Sequence, residues 1–549
     1  MGFRSPMASL GQGRLRRVLA PQIAAVEGYL EALEPQGSEE RPIVFFNAST
    51  RIHTLSLNAA FSMLASWALR ADRVPVRHLV CNVGLQPCVL GTDRRRPETH
   101  PPCRPCLALS QTLFPEKLSV RLRLDRGTYL EVLQELAGKP LADLAQWEFR
   151  GRPLGELCLP SVRWILRRHH LTDSPPTTGV YRGYLASAAS LTLELESALS
   201  RLSPRALALF NGVFYPEAVA RLIARERAIP VVTHEVGLAA ISAFFTRGEA
   251  TFRQATLSAS RRLSEEEDRR LDRYLEDRFR GSFSMAGIRF WERMDSIPEW
   301  LVDLRRRFRQ MVGVFPNVVF DTSQVHANHI FTDMMAWLDD VAETIAGHPE
   351  TLFVFRAHPD ENRPGKESQE SVAAWFRGTA LARLPNAILI EPRQPISSYE
   401  LIRQSKLVLV YSSSVGLEAS VLGAPVLCAG RARYTQVPSV YRPKTRAEYS
   451  SQLESLLRAE QIELPQEFER TARAFLYAEL FEESLDLSEF LEPMAGAPGM
   501  VEFRRFSPGR LAASQSLQVI RRGFIEGARF SMNESPPYVP SVERGDEGD

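Results

Sequence analysis

Three groups of residues in this 549-residue chain have types and spacings that can do chemistry. In the first, Arg356, Ala357, His358 and Pro359 close an apolar run. Farther on, Ser412, Ser413, Ser414, Val415 and Gly416 close another, with Glu418 just behind. An imidazole N–H, serine hydroxyls and backbone N–H groups at a helix start all donate hydrogen bonds, and together they suit a phosphate. Arg356 reads as an ion-pair partner or a second phosphate contact. Pro359 halts the strand and bends the chain outward, and Gly416 permits close backbone approach. Glu418 either accepts from ribose hydroxyls or complements the helix dipole. Taken alone, His358 reads more simply as a turn cap, and a Ser-rich turn is weak evidence. Two such ends on one sheet make a shared anion site the better reading.

The second group is His234 and Glu235, after the apolar run 229–233. A group at a strand end can take the proton of an attacking hydroxyl. Glu235 is the first choice for that base and His234 the second, while a structural carboxylate capping the next helix is the plainer reading of Glu235. Asn211 and Gly212 end the neighbouring run, as polar contacts or as a tight turn. Arg51 and His53 can meet an anion, or simply belong to a solvated loop. The third group is Cys81, Cys88, Cys103 and Cys106, spaced C-x6-C-x14-C-x2-C. Four thiolates on one loop can close a tetrahedral site, and structural zinc would staple a Pro-rich loop, 87–105, that has no core of its own. An iron–sulfur cluster needs the same four ligands, His100 is a spare ligand, and free thiols are the third reading. Cys158 and Cys428 stand alone in apolar stretches, as packed thiols do.

These groups need elements to position them. Residues 1–40 read as a helix-prone, weakly ordered lead-in. A first α/β series follows over 41–300, with strands at 43–46, 76–80, 206–210 and 229–233. A Cys segment and a largely helical insertion (about 115–200) interrupt it. A charged helix over 260–280 leads to a junction before about 310. The second series, over 301–460, has strands at 312–315, 352–356, 387–390, 407–411 and 425–428. Strand–helix alternation of this kind predicts parallel, doubly wound sheets. The expected fold class is therefore α/β, with two Rossmann-like domains facing a central cleft and a helical, Cys-containing insertion in the first. Helices are expected over 461–535, including a basic amphipathic segment near 514–530, and a disordered tail over 536–549.

The second series also resembles a known family. His358 and Pro359, then Ser412, Ser413 and Ser414, then Gly416, Leu417, Glu418 and Ala419, then Leu422, Gly423, Ala424, Pro425 and Val426 are similar to the donor half of bacterial capsule-type glycosyltransferases. The likeness is to the Kdo transferase-like and sialyltransferase-like groups, whose His-Pro and Ser-Ser/Thr motifs hold the phosphate of a CMP-activated sugar. Phe315 to Asp321, Phe331 to Met334 and Trp337 resemble capsule-biosynthesis sequences in the same way. The resemblance spans about 310–450 well and 40–250 loosely. It implies a GT-B fold, an inverting mechanism and transfer without an essential metal. The chain departs from the pattern at Arg431, Arg433 and Tyr434, which leaves the donor base and sugar open.

Net charge is +2, so bulk electrostatics do not call for nucleic acid. Only five of the 67 cationic residues are Lys, a bias that locates no site. No apolar run is long enough to cross a bilayer, and the basic start lacks the apolar core of a secretory signal. The expectation is a cytoplasmic enzyme, with a peripheral contact at the inner membrane face or an export complex. Its partners would be a nucleotide sugar and a glycan or glycolipid acceptor. The alternatives are a nucleotide-sugar epimerase-like enzyme and a non-catalytic nucleotide- or glycan-binding partner of an export assembly.

Overall fold

A computed structural model describes residues 19–33, 40–48, 54–97, 99–255, 257, 261–279, 294–363, 366–497 and 499–533. Arg51, His53 and the expected tail lie outside them. The chain divides into two compact units. The first is 1–253 with 284–288 and 481–532, and the second is 254–283 with 289–480 and 533–549.

In the first unit, strands β1 (Ile43–Phe46), β2 (Val76–Cys81), β3 (Ser119–Leu122), β4 (Ala206–Phe210) and β5 (Val231–Val236) are parallel. They lie in the order β5-β4-β1-β2-β3. Antiparallel β6 (Ser242–Arg247) and the short strand Leu485–Asp486 extend the β5 edge. The central strands IVFF and ALALF are buried along nearly their whole length, as expected of strands with covered faces. Helix Leu57–Ala71 starts where the Ser56 hydroxyl accepts from Ala59 N, and almost all of it is buried. Helix Ala20–Leu33, expected to be weakly ordered, instead buries Ile23, Val26 and Leu30. Its Glu27 accepts from Trp67 Nε1 at 2.8 Å and pairs with Arg70 at 2.6 Å.

Two further expectations change here. The insertion is not one block. The Cys segment is the crossover from β2 to β3, and the helices Arg126–Glu135, Leu141–Ala145, Leu154–Leu166 and Pro175–Leu202 form the crossover from β3 to β4. The stretch expected to be helical after 460 contains strand Leu485–Asp486 and a hairpin, Leu491–Pro493 with Val501–Phe503, before helix Gln515–Ile525. The apolar face of that last helix, with Leu517, Ile520 and Phe524, joins the first unit's core.

The second unit holds β7 (Gln310–Phe315), β8 (Thr351–Arg356), β9 (Ala387–Ile390), β10 (Leu407–Val410) and β11 (Val426–Cys428). All are parallel, in the order β11-β10-β7-β8-β9. Helix Glu265–Phe279 belongs to this unit rather than to the first series. Arg473 of helix Gln466–Tyr477 binds Asp268 at 2.8 Å and Asp272 at 2.7 Å, and its own Arg278 reaches Glu418 at 2.5 Å.

Numbered within each unit, both sheets run 3-2-1-4-5. The chain therefore reverses direction across the sheet between β1 and β4, and again between β7 and β10. Ligands of such sheets sit beyond the carboxyl ends of the strands at that reversal.

Candidate functional site

In the second unit the carboxyl ends of β7, β8 and β10 carry the predicted phosphate residues. His358 follows β8 and is half-buried. Its Nδ1 accepts from the Asp360 N–H at 3.1 Å and so caps the short helix Pro359–Asn362. Burial lowers its pKa, against the opposing pull of Asp360 and Asp321. The ring is then neutral, and with Nδ1 accepting, its proton sits on Nε2. The turn-cap role is thus real, and it also fixes which nitrogen donates. Beyond β10, Ser412 Oγ accepts from Gln324 Nε2 at 2.9 Å, and Ser413 Oγ accepts weakly from Val415 N at 3.4 Å. Ser414 is exposed at the start of helix Val415–Val421.

Three other residues of this group turn out to be scaffolding. Arg356 is buried, and donates from Nη1 to Glu391 O at 2.7 Å and from Nη2 to Gln394 O at 2.8 Å. It ties the end of β8 to the turn after β9. Glu418 is also buried, and accepts from Arg278 at 2.5 Å and from the Tyr399 hydroxyl at 2.6 Å. Those bonds take up both carboxylate oxygens where a ribose contact was expected. Gly416 does allow a close approach, but from within: an added Cβ would lie 2.3 Å from the Tyr434 hydroxyl. That hydroxyl donates to Ser413 O at 2.8 Å and so shapes the serine turn.

Sequence reasoning missed a set of cations at the same edge. His329 follows β7, and Arg431 and Arg442 follow β11. All three are exposed. Burial, then Arg442 and Arg431, lower the His329 pKa, and burial together with Arg442 lowers that of Arg431. The three groups therefore share one electrostatic neighbourhood. Arg431 N donates to Ala327 O at 2.8 Å, and the Tyr411 hydroxyl donates to Asn328 at 2.7 Å, which ties this loop to the serine turn. Such residues carry no periodic mark in a sequence, and about a hundred positions separate His329 from its partners.

In the first unit, β5 runs through His234 and Glu235 instead of stopping before them, because β6 pairs His234 with Phe245 and Glu235 with Phe244. Alternation then sends the two side chains to opposite faces. His234 is 1% exposed, lies beside Phe245 and Phe210, and burial drives its pKa down to about 3. From there it cannot meet an acceptor. Glu235 is half-buried near the carboxyl end of β5. It accepts from Asn58 Nδ2 at 3.1 Å, Asn211 Nδ2 at 2.9 Å and its neighbour Val236 N at 2.8 Å. Asn211, in the left-handed region with φ 55°, follows β4. Two carboxamides from different elements thus hold the carboxylate at the reversal of the first sheet.

The four cysteines also come together. Cys81 ends β2, Cys88 lies in the following loop, and Cys103 and Cys106 form the first turn of helix Cys103–Leu113. All four are half-buried and line one cavity with Leu85, Leu90 and Pro101. Burial pushes the Cys88 thiol up to about 12 and raises that of Cys81, and the nearby sulfurs add to both shifts.

No curated protein matches this chain by sequence. Among solved structures it is similar to the beta Kdo 2,4 transferase of Thermosulfurimonas dismutans KpsC, at 15% identity and TM-score 0.34, over 56% of this chain and 87% of that one. The beta Kdo 2,7 transferase of the same KpsC is similar at 17% identity and TM-score 0.29, over 51% and 80%. A UDP-GlcNAc 2-epimerase from Neisseria meningitidis bound to UDP-GlcNAc is similar at 12% identity and TM-score 0.23, over 80% and 98%. Residues 301–440, which hold the whole second sheet with His358 and the serine turn, match the family model described as "Capsule polysaccharide biosynthesis protein".

Proposed function

We propose that this chain is a glycosyltransferase of capsule polysaccharide assembly, and that its second unit takes the nucleotide-sugar donor. The observation that carries this reading is that His358, the serine turn, His329 and Arg431 all follow carboxyl ends of the second sheet's strands, inside the segment that matches the capsule family, with Arg442 just beyond it. The His358 Nε2–H, the Ser414 hydroxyl and the Arg431/Arg442 pair supply hydrogen bonds and positive charge for a phosphate. Ser412 and Ser413 are better placed to shape the turn than to bind. The motif resemblance favours a CMP-linked donor, an inverting displacement and no metal in transfer. The acceptor is a surface glycan or glycolipid. In the first unit, Glu235 is the base that takes the acceptor's proton, with Asn58 and Asn211 fixing its orientation.

A thermal-shift panel of CMP, UDP, GDP and TDP tests the donor half. The matching nucleotide at 100 times its Kd stabilises the protein by about 2.7 kcal/mol. His358→Ala removes most of that shift and abolishes transfer while the fold persists. Arg431→Ala weakens binding, and the loss shrinks as salt is raised. If no nucleotide shifts the protein, the donor site is wrong. Conversion of a nucleotide sugar in the absence of any acceptor would instead favour the epimerase reading.

A further inference from the structure

We propose that Cys81, Cys88, Cys103 and Cys106 hold an iron–sulfur cluster, a polynuclear centre rather than a single zinc ion. The four thiols come from three separate segments: a strand end, a loop and the first turn of a helix. They meet around one cavity whose empty space, open solvent included, is about 460 Å³. Free cysteines scattered by chance over a Pro-rich loop have no reason to share the wall of one cavity.

The separation of the sulfurs selects the kind of centre. Four thiolates on one tetrahedral zinc, each about 2.3 Å from the metal, stand about 3.8 Å from one another. Among the described residues, no three of these four sulfurs come within 4.8 Å of each other. In a [4Fe–4S] cluster each thiolate binds its own iron, and an iron–sulfide core fills the space between the sulfurs. Four sulfurs spaced beyond the reach of one zinc ion, on the wall of one cavity, fit that arrangement.

The surroundings agree. Backbone N–H groups of Val83, Gly84 and Leu85 favour a thiolate at Cys81, and the Gly91 N–H, which donates to the Cys88 carbonyl at 3.2 Å, favours one at Cys88. Amide donors to cluster sulfurs stabilise bound thiolates and tune the centre. An added Cβ at Gly91 would lie 2.8 Å from Cys88 Sγ and 2.6 Å from Pro101, so only glycine lets that backbone approach the sulfur. Val83 adopts the left-handed φ of 61°, which folds the loop back over Cys81. The remaining wall is mostly apolar and limits water at the centre. The cluster would fasten the loop between β2 and helix Cys103–Leu113 to the carboxyl edge of the first sheet.

The test is metal and sulfide analysis of the full chain, untagged and prepared without oxygen. The expected result is about four iron and about four acid-labile sulfides per chain, with broad visible absorption that bleaches on reduction. The double variant Cys103→Ser, Cys106→Ser loses most of the iron, whereas Cys158→Ser, outside the group, keeps it. One zinc per chain without iron overturns the cluster. Absence of both metals, even after reconstitution with ferrous iron and sulfide, overturns the site. Iron retained by the double variant overturns the ligand set.

Discussion

At Gly416 an added methyl would lie 2.3 Å from the Tyr434 hydroxyl and 2.9 Å from a Val410 methyl. Both neighbours are buried, so neither yields without cost. Gly416→Ala should destabilise the protein by about 1–3 kcal/mol through overpacking. Tyr434→Phe removes the bond to Ser413 O and should cost about 1 kcal/mol. The double variant should be clearly less unstable than the sum of the two, because the closest clash partner has gone. Urea unfolding of all four proteins measures that coupling, and strict additivity would contradict it. This pair shows what a sequence conveys at the scale of single residues. The residue types and strand ends at the phosphate edge were legible, because small and polar residues after an apolar run mark a strand-to-helix turn. Their individual tasks were not. Arg356 is tied to Gln394, Glu418 to Arg278, Gly416 to Tyr434 and His234 to Phe245, and each partner belongs to a different element or turn. A carboxylate that binds ribose and one that anchors a helix look alike until the partner is known.

The short helix Pro359–Asn362 that carries His358's cap also buries a carboxyl group. Glu361 is 1% exposed and accepts from Val372 N at 2.7 Å. Burial raises its pKa to about 7, aided by Glu391 and opposed by the Val372 and Ala373 N–H groups and by Arg377. In the unfolded chain it ionises near 4.5. Between those values the folded state holds the proton more tightly, so this group's contribution to stability is full below the unfolded pKa. It falls as pH rises and is lost once the folded pKa is passed. The loss is on the order of 3 kcal/mol, at about 1.4 kcal/mol per pH unit. Glu361→Gln removes the titration. Its stability relative to the natural chain should therefore climb by that order between pH 5 and pH 8 in denaturant unfolding, and a flat difference would refute the buried carboxyl. Elements differed sharply in how well the sequence announced them. β1, β4 and β10 were read directly, because strands covered on both faces are unbroken apolar runs. β3 and the Leu491–Pro493 hairpin strand are short and lie at an edge or outside the main sheets, and β6 opens and closes on polar residues, so they leave little signal. Missing β6 also cut β5 short and placed His234 at a strand end it does not occupy.

At the scale of the whole chain, the same strand order appears twice; alternating strands and helices foretold two parallel sheets but not that order. What alternation could not foretell is that the chain leaves its first unit at 253 and returns to it from 481 to 532. Nothing local marks a return, since a helix packed on distant residues has the same amphipathic pattern as one packed on its neighbours. The return is built into the core: Phe490, Leu491, Phe503, Leu517, Ile520 and Phe524 are buried in the cluster that holds β1 residues Ile43 and Phe45 and helix Leu57–Ala71. Arg247 and Arg205 also donate to the carbonyls of Gly523 and Ile525 at 2.8 and 3.1 Å. Each such side chain contributes about 1.5–3 kcal/mol by burial. Six of them together approach or exceed the roughly 5–15 kcal/mol by which a domain is stable. A chain ending at residue 480 should therefore lose the first unit while keeping every strand of the second. Hydrogen exchange read by mass spectrometry resolves the two. Amides of β1, β2, β4 and β5 should exchange at rates near those of an unfolded chain, while β7, β8 and β10 stay protected and nucleotide still slows exchange after β8 and β10. Unchanged protection in β1 and β4 would mean that the first unit closes without its C-terminal return.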